Sequence, residues 1–185
     1  MSTQKVFSAI YDSPLGLFTI ISDNDSILEI KFPEQQTDIN QATDRGNTDL
    51  PAVLVNTLIW LDDYFNEKNP ALDSIKLNPK GNAFRQCVWK YLNEIPYGAT
   101  STYGEIAAKV AKDLGKEKMS AQAVGQAIES NPIPVIIPCN RVIGKNGKFT
   151  GYAGGLEIKE WLLKHEHADI MEHYFFKKEK KCWKT

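Results

Sequence analysis

The chain has 185 residues, 42% of them hydrophobic, and a formal net charge of −1. That length allows one ordinary domain or two small ones, and the composition supports a packed core rather than a disordered chain. No stretch approaches the ~18 apolar residues a bilayer span needs. The opening MSTQKVFSAIYDSPLG lacks the apolar segment of a signal peptide. A soluble, intracellular, reduced protein is therefore expected. The charge changes sign along the chain. Residues 1–80 hold 6 Lys/Arg against 12 Asp/Glu, and residues 81–185 hold 16 against 11. The second part suits an anionic partner such as nucleic acid, although part of its excess lies in the terminal run KKEKKCWK, which reads equally as a solvated tail. The three cysteines, Cys87, Cys139 and Cys182, are odd in number, widely spaced and without a C-x-x-C. That pattern argues against both a disulfide framework and a cysteine zinc site.

Residues 4–32 alternate as strands do, with breaks at Asp12-Ser13-Pro14 and Asp23-Asn24-Asp25, and predict a short antiparallel meander. Residues 33–50 are polar and read as a loop or weak helix. Residues 51–67 space Val53, Leu54, Leu58, Leu61, Tyr64 and Phe65 at helical intervals behind Pro51. Asn69-Pro70 and Asn78-Pro79 mark an irregular connection, with one short strand at 75–77 and a boundary near residue 80. A helix at 84–94 places Phe84, Val88, Tyr91 and Leu92 inward and ends at Pro96-Tyr97-Gly98. Thr102 caps the next helix. After the loop at 115–119, Ser120 caps a second that ends at Asn131-Pro132. Two short helices so joined have the pattern of a helix-turn-helix. Val135-Ile136-Ile137 reads as a buried strand. Gly144, Gly147, Gly151, Gly154 and Gly155 mark a tight loop, and residues 156–168 form a helix with Leu156, Trp161, Leu162 and Leu163 inward.

Cys139 carries the chemical interest. Cys87 sits among Phe84, Val88 and Trp89 and reads as a buried, inert thiol. Cys139 follows Pro138, adjoins Arg141 and precedes the glycine loop. Nearby cations lower a thiol pKa, so a nucleophile and a small core residue are both open readings. A nucleophilic thiol needs a proton acceptor. The three histidines, His165, His167 and His173, fall within nine residues of one another, and their H-x-H spacing with no second cluster argues against a metal. His165 and Glu166, adjacent near a helix end, suit a proton relay or a solvated helix terminus.

The stretch NPIPVIIPCNRVIGKNGKFTGYAGGLEIKEWLLKHE resembles the active-site region of the O6-alkylguanine-DNA alkyltransferases, the methylated-DNA–protein-cysteine methyltransferases. YDSPLGLFTI, AFRQCVWKYLNEIPYGATSTYGEIA and SAQAVGQAIESNP resemble other parts of that family. The resemblance implies an α/β protein. Residues 1–80 would form a small N-terminal α/β domain with an antiparallel sheet, packed on a mostly helical DNA-binding and alkyl-transfer domain at 81–170. A C-terminal extension, 171–185, would follow. It implies a monomer in the cytoplasm, or in the nucleus of a eukaryote, acting on double-stranded DNA that carries O6-alkylguanine, with no cofactor, metal or membrane. The damaged base is flipped out of the duplex, and its alkyl group passes irreversibly to Cys139. By the same resemblance, Glu166 ends a proton relay and Tyr103 contacts the flipped base. The carbonyls of Cys139 and Val142 accept from the guanine amine, and Tyr152, Ala153, Gly154 and Gly155 shape the pocket. Asn131 is a hinge and Arg141 is structural. Thr102, Ser120, Ala121 and Gln122 face DNA.

Two residues depart from the family pattern. Asn140 stands where a histidine takes the thiol proton, and an amide cannot accept a proton at neutral pH. Slowed transfer is the expectation, within the ~10²–10⁴-fold that general base catalysis supplies. Gln122 stands where an arginine enters the base stack, which predicts weaker, less salt-dependent DNA binding. Together they open an alternative: a lesion-binding protein with little transfer of its own. A cysteine hydrolase is less well supported, because no histidine neighbours the thiol in sequence and no oxyanion motif is evident.

Overall fold

The computed structural model describes residues 5–35 and 50–169. The expected extension at 171–185, with His173 and Cys182, and residues 36–49 of the polar stretch lie outside the described residues. The chain separates into two compact units between Lys80 and Gly81.

In the first unit, Phe7–Ser13 (β1), Gly16–Ser22 (β2) and Ile27–Lys31 (β3) form an antiparallel sheet in that order. The breaks fall where turn chemistry predicts them. Ser13 pairs with Gly16 across Pro14-Leu15, and Ser13 Oγ donates to the Gly16 carbonyl at 2.7 Å. Asp23 Oδ1 accepts from the backbone N–H of Asp25 (2.9 Å) and Ser26 (2.7 Å), an Asx turn. Residues 75–77 make one parallel bridge, Ile27 to Leu77, rather than a strand. Ala52–Phe65 (α1) starts after Pro51, whose missing N–H is no loss at a helix start. It buries Val53, Leu54, Thr57, Trp60, Leu61 and Tyr64. Leu58 is only half-buried, because Trp60 takes the inner face and anchors its Nε1 on the Pro70 carbonyl at 3.1 Å.

The second unit is mostly helical. Ala83–Asn93 (α2) is capped by Asn82, whose side chain accepts from Arg85 N–H at 2.9 Å. Its buried face is Val88, Trp89 and Leu92, with Phe84 and Tyr91 half-buried. Trp89 was not expected inside. Its indole N–H finds the Ala127 carbonyl at 2.8 Å, which satisfies the polar end of a large apolar ring. Ser101–Thr102 (β4) leads directly into Tyr103–Asp113 (α3). Thr102 and Glu105 close a reciprocal capping box: Glu105 N–H donates to Thr102 Oγ1 at 3.2 Å and Thr102 N–H to Glu105 Oε2 at 2.7 Å. Ala121–Glu129 (α4) is capped by Ser120 as predicted. Beyond it, Val142–Ile143 (β5) pairs in parallel with β4, Ser101 opposite Val142 and Thr102 opposite Ile143. Leu156–His165 (α5) closes the unit.

Two sequence expectations fail here. Val135-Ile136-Ile137 is buried, but it is a succession of turns and not a strand. Val135 sits at φ +72°, a left-handed conformation that ends any extended run, and Pro132, Pro134 and Pro138 offer no N–H to a ladder. The last helix stops at His165 instead of reaching 168. Ala168 N–H bonds the Leu163 carbonyl and His167 N–H the Lys164 carbonyl, with His167 at φ +52° and Ala168 packed against the cluster containing Leu163. That is a Schellman stop with histidine in the usual glycine place. Replacing Trp89 by Phe leaves the Ala127 carbonyl without its donor, so urea unfolding should show a loss of about 1–3 kcal/mol.

Candidate active site

The site begins with an asparagine. Asn131 follows α4 and is buried, and its side chain uses each polar group. Oδ1 accepts from Ile133 N–H at 3.0 Å, while Nδ2 donates to the Ile137 carbonyl at 2.8 Å and to Cys139 Sγ at 3.2 Å. The amide thus supplies to residues 133–137 bonds that a neighbouring strand would otherwise provide, and folds the run back so that its end presents the thiol. Cys139 then opens a single 3-10 turn, Cys139–Arg141, and is 3% exposed.

Burial pushes the Cys139 thiol pKa up. The Asn131 amide pulls it back first, then the charge of Lys159, the N–H of Cys139 itself and the Tyr152 hydroxyl. Lys159 is fully buried on α5. Its Nζ donates to the Val142 carbonyl at 2.5 Å and to the Thr150 carbonyl at 3.0 Å, and desolvation lowers its pKa to about 8. Among the described residues no carboxylate pairs with it. Sequence reasoning missed this residue, although one signal was present. Leu156, Lys159 and Leu163 share a helical face, so a lysine occupies a position in the apolar stripe. Trp161, expected inward, is half-buried and stacks on His165 with ring centroids 4.9 Å apart.

Asn140 and Arg141 turn the other way, toward the end of α5. Glu166 caps that helix and is 1% exposed. Its Oε1 accepts from Asn140 Nδ2 at 2.9 Å and its Oε2 from Arg141 Nε at 2.6 Å. Arg141 Nη1 also donates to the Ile95 carbonyl at 2.6 Å. The turn after α2 meets the same helix end. Tyr97 Oη donates to the His165 carbonyl at 3.1 Å, and a Cβ on Gly98, at φ +74°, would lie 2.8 Å from the Glu166 carbonyl. Asn140 Oδ1 is buried and accepts no hydrogen bond from the described residues. Cys139, Asn140 and Glu166 are therefore brought together, with Asn140 as a donor to the carboxylate and no proton acceptor between it and the thiol.

The β4–β5 pairing sets the start of α3 beside the cysteine turn. Tyr103 Oη donates to the Thr150 carbonyl at 3.1 Å, the carbonyl that Lys159 also uses. Burial raises the Tyr103 pKa and keeps it a donor. The carbonyls of Cys139 and Val142 each already hold one partner, the Val142 N–H and Lys159 Nζ respectively. The glycine loop is tight against itself: a Cβ on Gly144 would lie 2.8 Å from the Lys148 carbonyl. Tyr152, Ala153 and Gly154 are half-buried in the loop and Gly155 is exposed at the start of α5. Ser120, Ala121 and Gln122 are exposed at the start of α4 and Thr102 is half-buried at the start of α3. No hydrogen bond joins Ser120, Ala121 or Gln122 to the surroundings of the thiol. Cys87 is a correction. It is half-buried rather than buried, with Sγ 3.8 Å from Asp113 Oδ2, because α2 turns Trp89 inward in its place. Among the described residues no cluster of His, Cys, Asp and Glu is able to hold a metal ion.

Comparison with known proteins agrees along both units. Residues 6–79 match the family model described as the ribonuclease-like domain of 6-O-methylguanine DNA methyltransferase, and residues 83–168 match its DNA-binding domain. A methylated-DNA–protein-cysteine methyltransferase of Haemophilus influenzae is 39% identical over 167 residues, covering 90% of this chain and 89% of its own. That of Methanosarcina acetivorans is 39% identical over 171 residues, 87% of this chain and 98% of its own. The crystal structure of the Mycobacterium tuberculosis protein titled OGT in complex with DNA superposes with a TM-score of 0.71 at 36% identity, covering 88% of this chain and 92% of that one. The chain belongs to the 6-O-methylguanine DNA methyltransferase family.

Two outcomes are expected from this geometry. Arg141→Met leaves the Glu166 carboxylate buried without its cation and should cost about 3–5 kcal/mol in denaturant unfolding. Lys159 binds its proton less tightly in the folded chain, about 8 against an ordinary 10.5. The cost of burying that charge is full below pH 8 and is relieved as pH rises from 8 to 10.5. Wild-type stability measured against Lys159→Met should therefore rise across that window.

Proposed function

We propose that this chain repairs DNA by direct reversal: the alkyl group of an O6-alkylguanine in duplex DNA moves to Cys139 Sγ and stays there, one transfer per molecule. Family membership supports the reaction class. The observation that carries the assignment to this residue is the thiol's setting, a buried sulfur facing the Asn131 amide donor at 3.2 Å on a turn beside Tyr103. In this reading α3 and α4 act as a helix-turn-helix. Thr102, Ser120, Ala121 and Gln122 meet the DNA, and the damaged base is flipped out of the stack, since its alkylated oxygen is not reachable inside it. Tyr103, Val142, Tyr152 and Ala153 receive the base. Asn131 and Arg141 hold the turn, and Glu166 with Asn140 lies behind the thiol. Residues 1–80 are an N-terminal domain, 81–170 the DNA-binding and transfer domain, and 171–185 an extension. The chain works as a monomer, in the reduced compartment that holds the DNA: the cytoplasm, or the nucleus of a eukaryote.

Transfer breaks the C–O6 bond and forms the S–C bond, and the electron pair of the broken bond passes to the guanine, which takes up one proton. No metal or redox group enters this balance. Slow transfer is consistent with Asn140, whose amide already donates to Glu166 and takes no proton.

Incubation with duplex DNA containing O6-methylguanine should add the mass of one methylene to the intact protein, mapped to the Cys139 peptide and absent in Cys139→Ala. Selective binding of the damaged duplex with no mass gain would instead leave a lesion binder. Asn140→His should speed the transfer, by up to the ~10²–10⁴-fold worth of a general base. Gln122→Arg should tighten DNA binding and steepen its salt dependence by about one unit of slope.

A further inference from the structure

The transfer reading leaves the thiol without an acceptor for its proton, and the structure offers a group for that task that the sequence pattern did not. We propose that Lys159 is the counter-charge of the Cys139 thiolate, the two side chains sharing one proton as a thiolate–ammonium pair that replaces an imidazole relay in this chain. The inference rests on the transfer reading for its purpose, but not for its geometry.

A buried ammonium is costly unless its hydrogen bonds are met and an anion stands near it. Lys159 Nζ has two carbonyl acceptors, Val142 and Thr150. Among the described residues it has no carboxylate, and the ionisable group whose charge acts on it is Cys139. The interaction is mutual, since Lys159 is also the cation that acts on the thiol. The two carbonyls fix the position of Nζ. As a neutral amine it uses two N–H groups on them and keeps a lone pair to receive a proton; as an ammonium it has a third N–H to give.

The other charged and titratable groups around the pair are occupied or remain neutral. Tyr152 on the glycine loop donates to the sulfur. Tyr103 on α3 is held protonated by burial, with Glu129 of α4 acting on it. Glu166 is held by Arg141 and Asn140.

The proton balance is simple. With both groups protonated the pair carries one positive charge and the thiol is inactive. Loss of one proton to solvent leaves a single proton shared between sulfur and nitrogen, and in the thiolate–ammonium form the sulfur pair is free to attack. The S–C bond forms, the C–O6 bond breaks, and the guanine takes its proton from the Lys159 ammonium. The lysine is left as the amine, which solvent reprotonates. The pair's first proton loss lies near the lysine value of about 8, so activity should climb as pH rises through that region.

The test reads the thiol without DNA. Full-length protein is alkylated with iodoacetamide from pH 6 to 10, and the rate is followed at the Cys139 peptide, with the Cys87 peptide as internal control. Lys159→Gln keeps a hydrogen-bond donor for the carbonyls but removes the charge. It should move the Cys139 midpoint up by about one unit or more and slow alkylation at pH 7 about tenfold, with Cys87 unchanged. Lys159→Arg restores a cation, so its midpoint should be no higher than that of the wild type. An unshifted midpoint in Lys159→Gln, shown folded by thermal unfolding, overturns the proposal. If that variant does not fold, the wild-type profile still decides: a midpoint above pH 9 overturns it as well. Parallel incubation with O6-methylguanine duplex separates the two readings. A shifted midpoint without methyl gain keeps the pair and removes the transferase, and methyl gain with an unshifted midpoint does the reverse.

Discussion

The second unit depends on one buried amide. Asn131 makes three hydrogen bonds, to Ile133 N–H, to the Ile137 carbonyl and to Cys139 Sγ, and no part of its side chain is left over. Each net bond is modest, about 1 kcal/mol, but each group left unmet in that interior would cost about 1–3. The asymmetry makes the clamp decisive. Without it, the apolar run at 133–137 would have backbone groups to satisfy and no ladder to join. With it, the run collapses into turns, packs its side chains inward and delivers the sulfur to a fixed place. The prolines at 132, 134 and 138 assist by removing N–H groups that would otherwise need partners.

The clamp would place a thiol beside nothing in particular were it not for the two-residue pairing of β4 with β5. That pairing fixes Tyr103, the first residue of α3, within reach of the loop that carries Thr150. The capping box at Thr102 and Glu105 makes the junction rigid, because the strand residue and the helix cap are the same residue. A side chain from a helix, a carbonyl from a loop and a lysine from another helix therefore converge on one point, with little freedom left to any of them.

Much of this frame was legible in the sequence because its rules are local. Thr102 and Ser120 as caps, Asp23 as a turn former and the alternation of the first strands all act within a few residues. The misreadings share a different cause. Val135-Ile136-Ile137 looked like a strand because hydrophobicity was read without the side chain that replaces the ladder. Trp161 was placed inward and Lys159 outward because a polarity pattern cannot see two carbonyls waiting inside. Trp89 was overlooked, and Cys87 placed in its stead, because the indole's partner lies 38 residues away. What periodicity misses in each case is a polar atom with a distant partner.

The two buried charged groups of the site are built on opposite plans. Glu166 is closed off: one oxygen is held by Asn140, the other by Arg141, and the arginine is held in turn by the Ile95 carbonyl. Its negative charge is cancelled where it arises, and nothing is left to polarise the thiol. Lys159 has neutral acceptors alone, so its positive charge is not cancelled and acts on the sulfur across a medium of low dielectric, where such a charge counts for more than in water. An interior with one neutralised carboxylate and one open cation has a net positive field. Such a field favours a thiolate over a thiol and stabilises the negative charge that develops on a departing guanine oxygen. The replacement of a basic residue by Asn140 thus moves the electrostatic centre of the site from the carboxylate side of the cysteine turn to the lysine side.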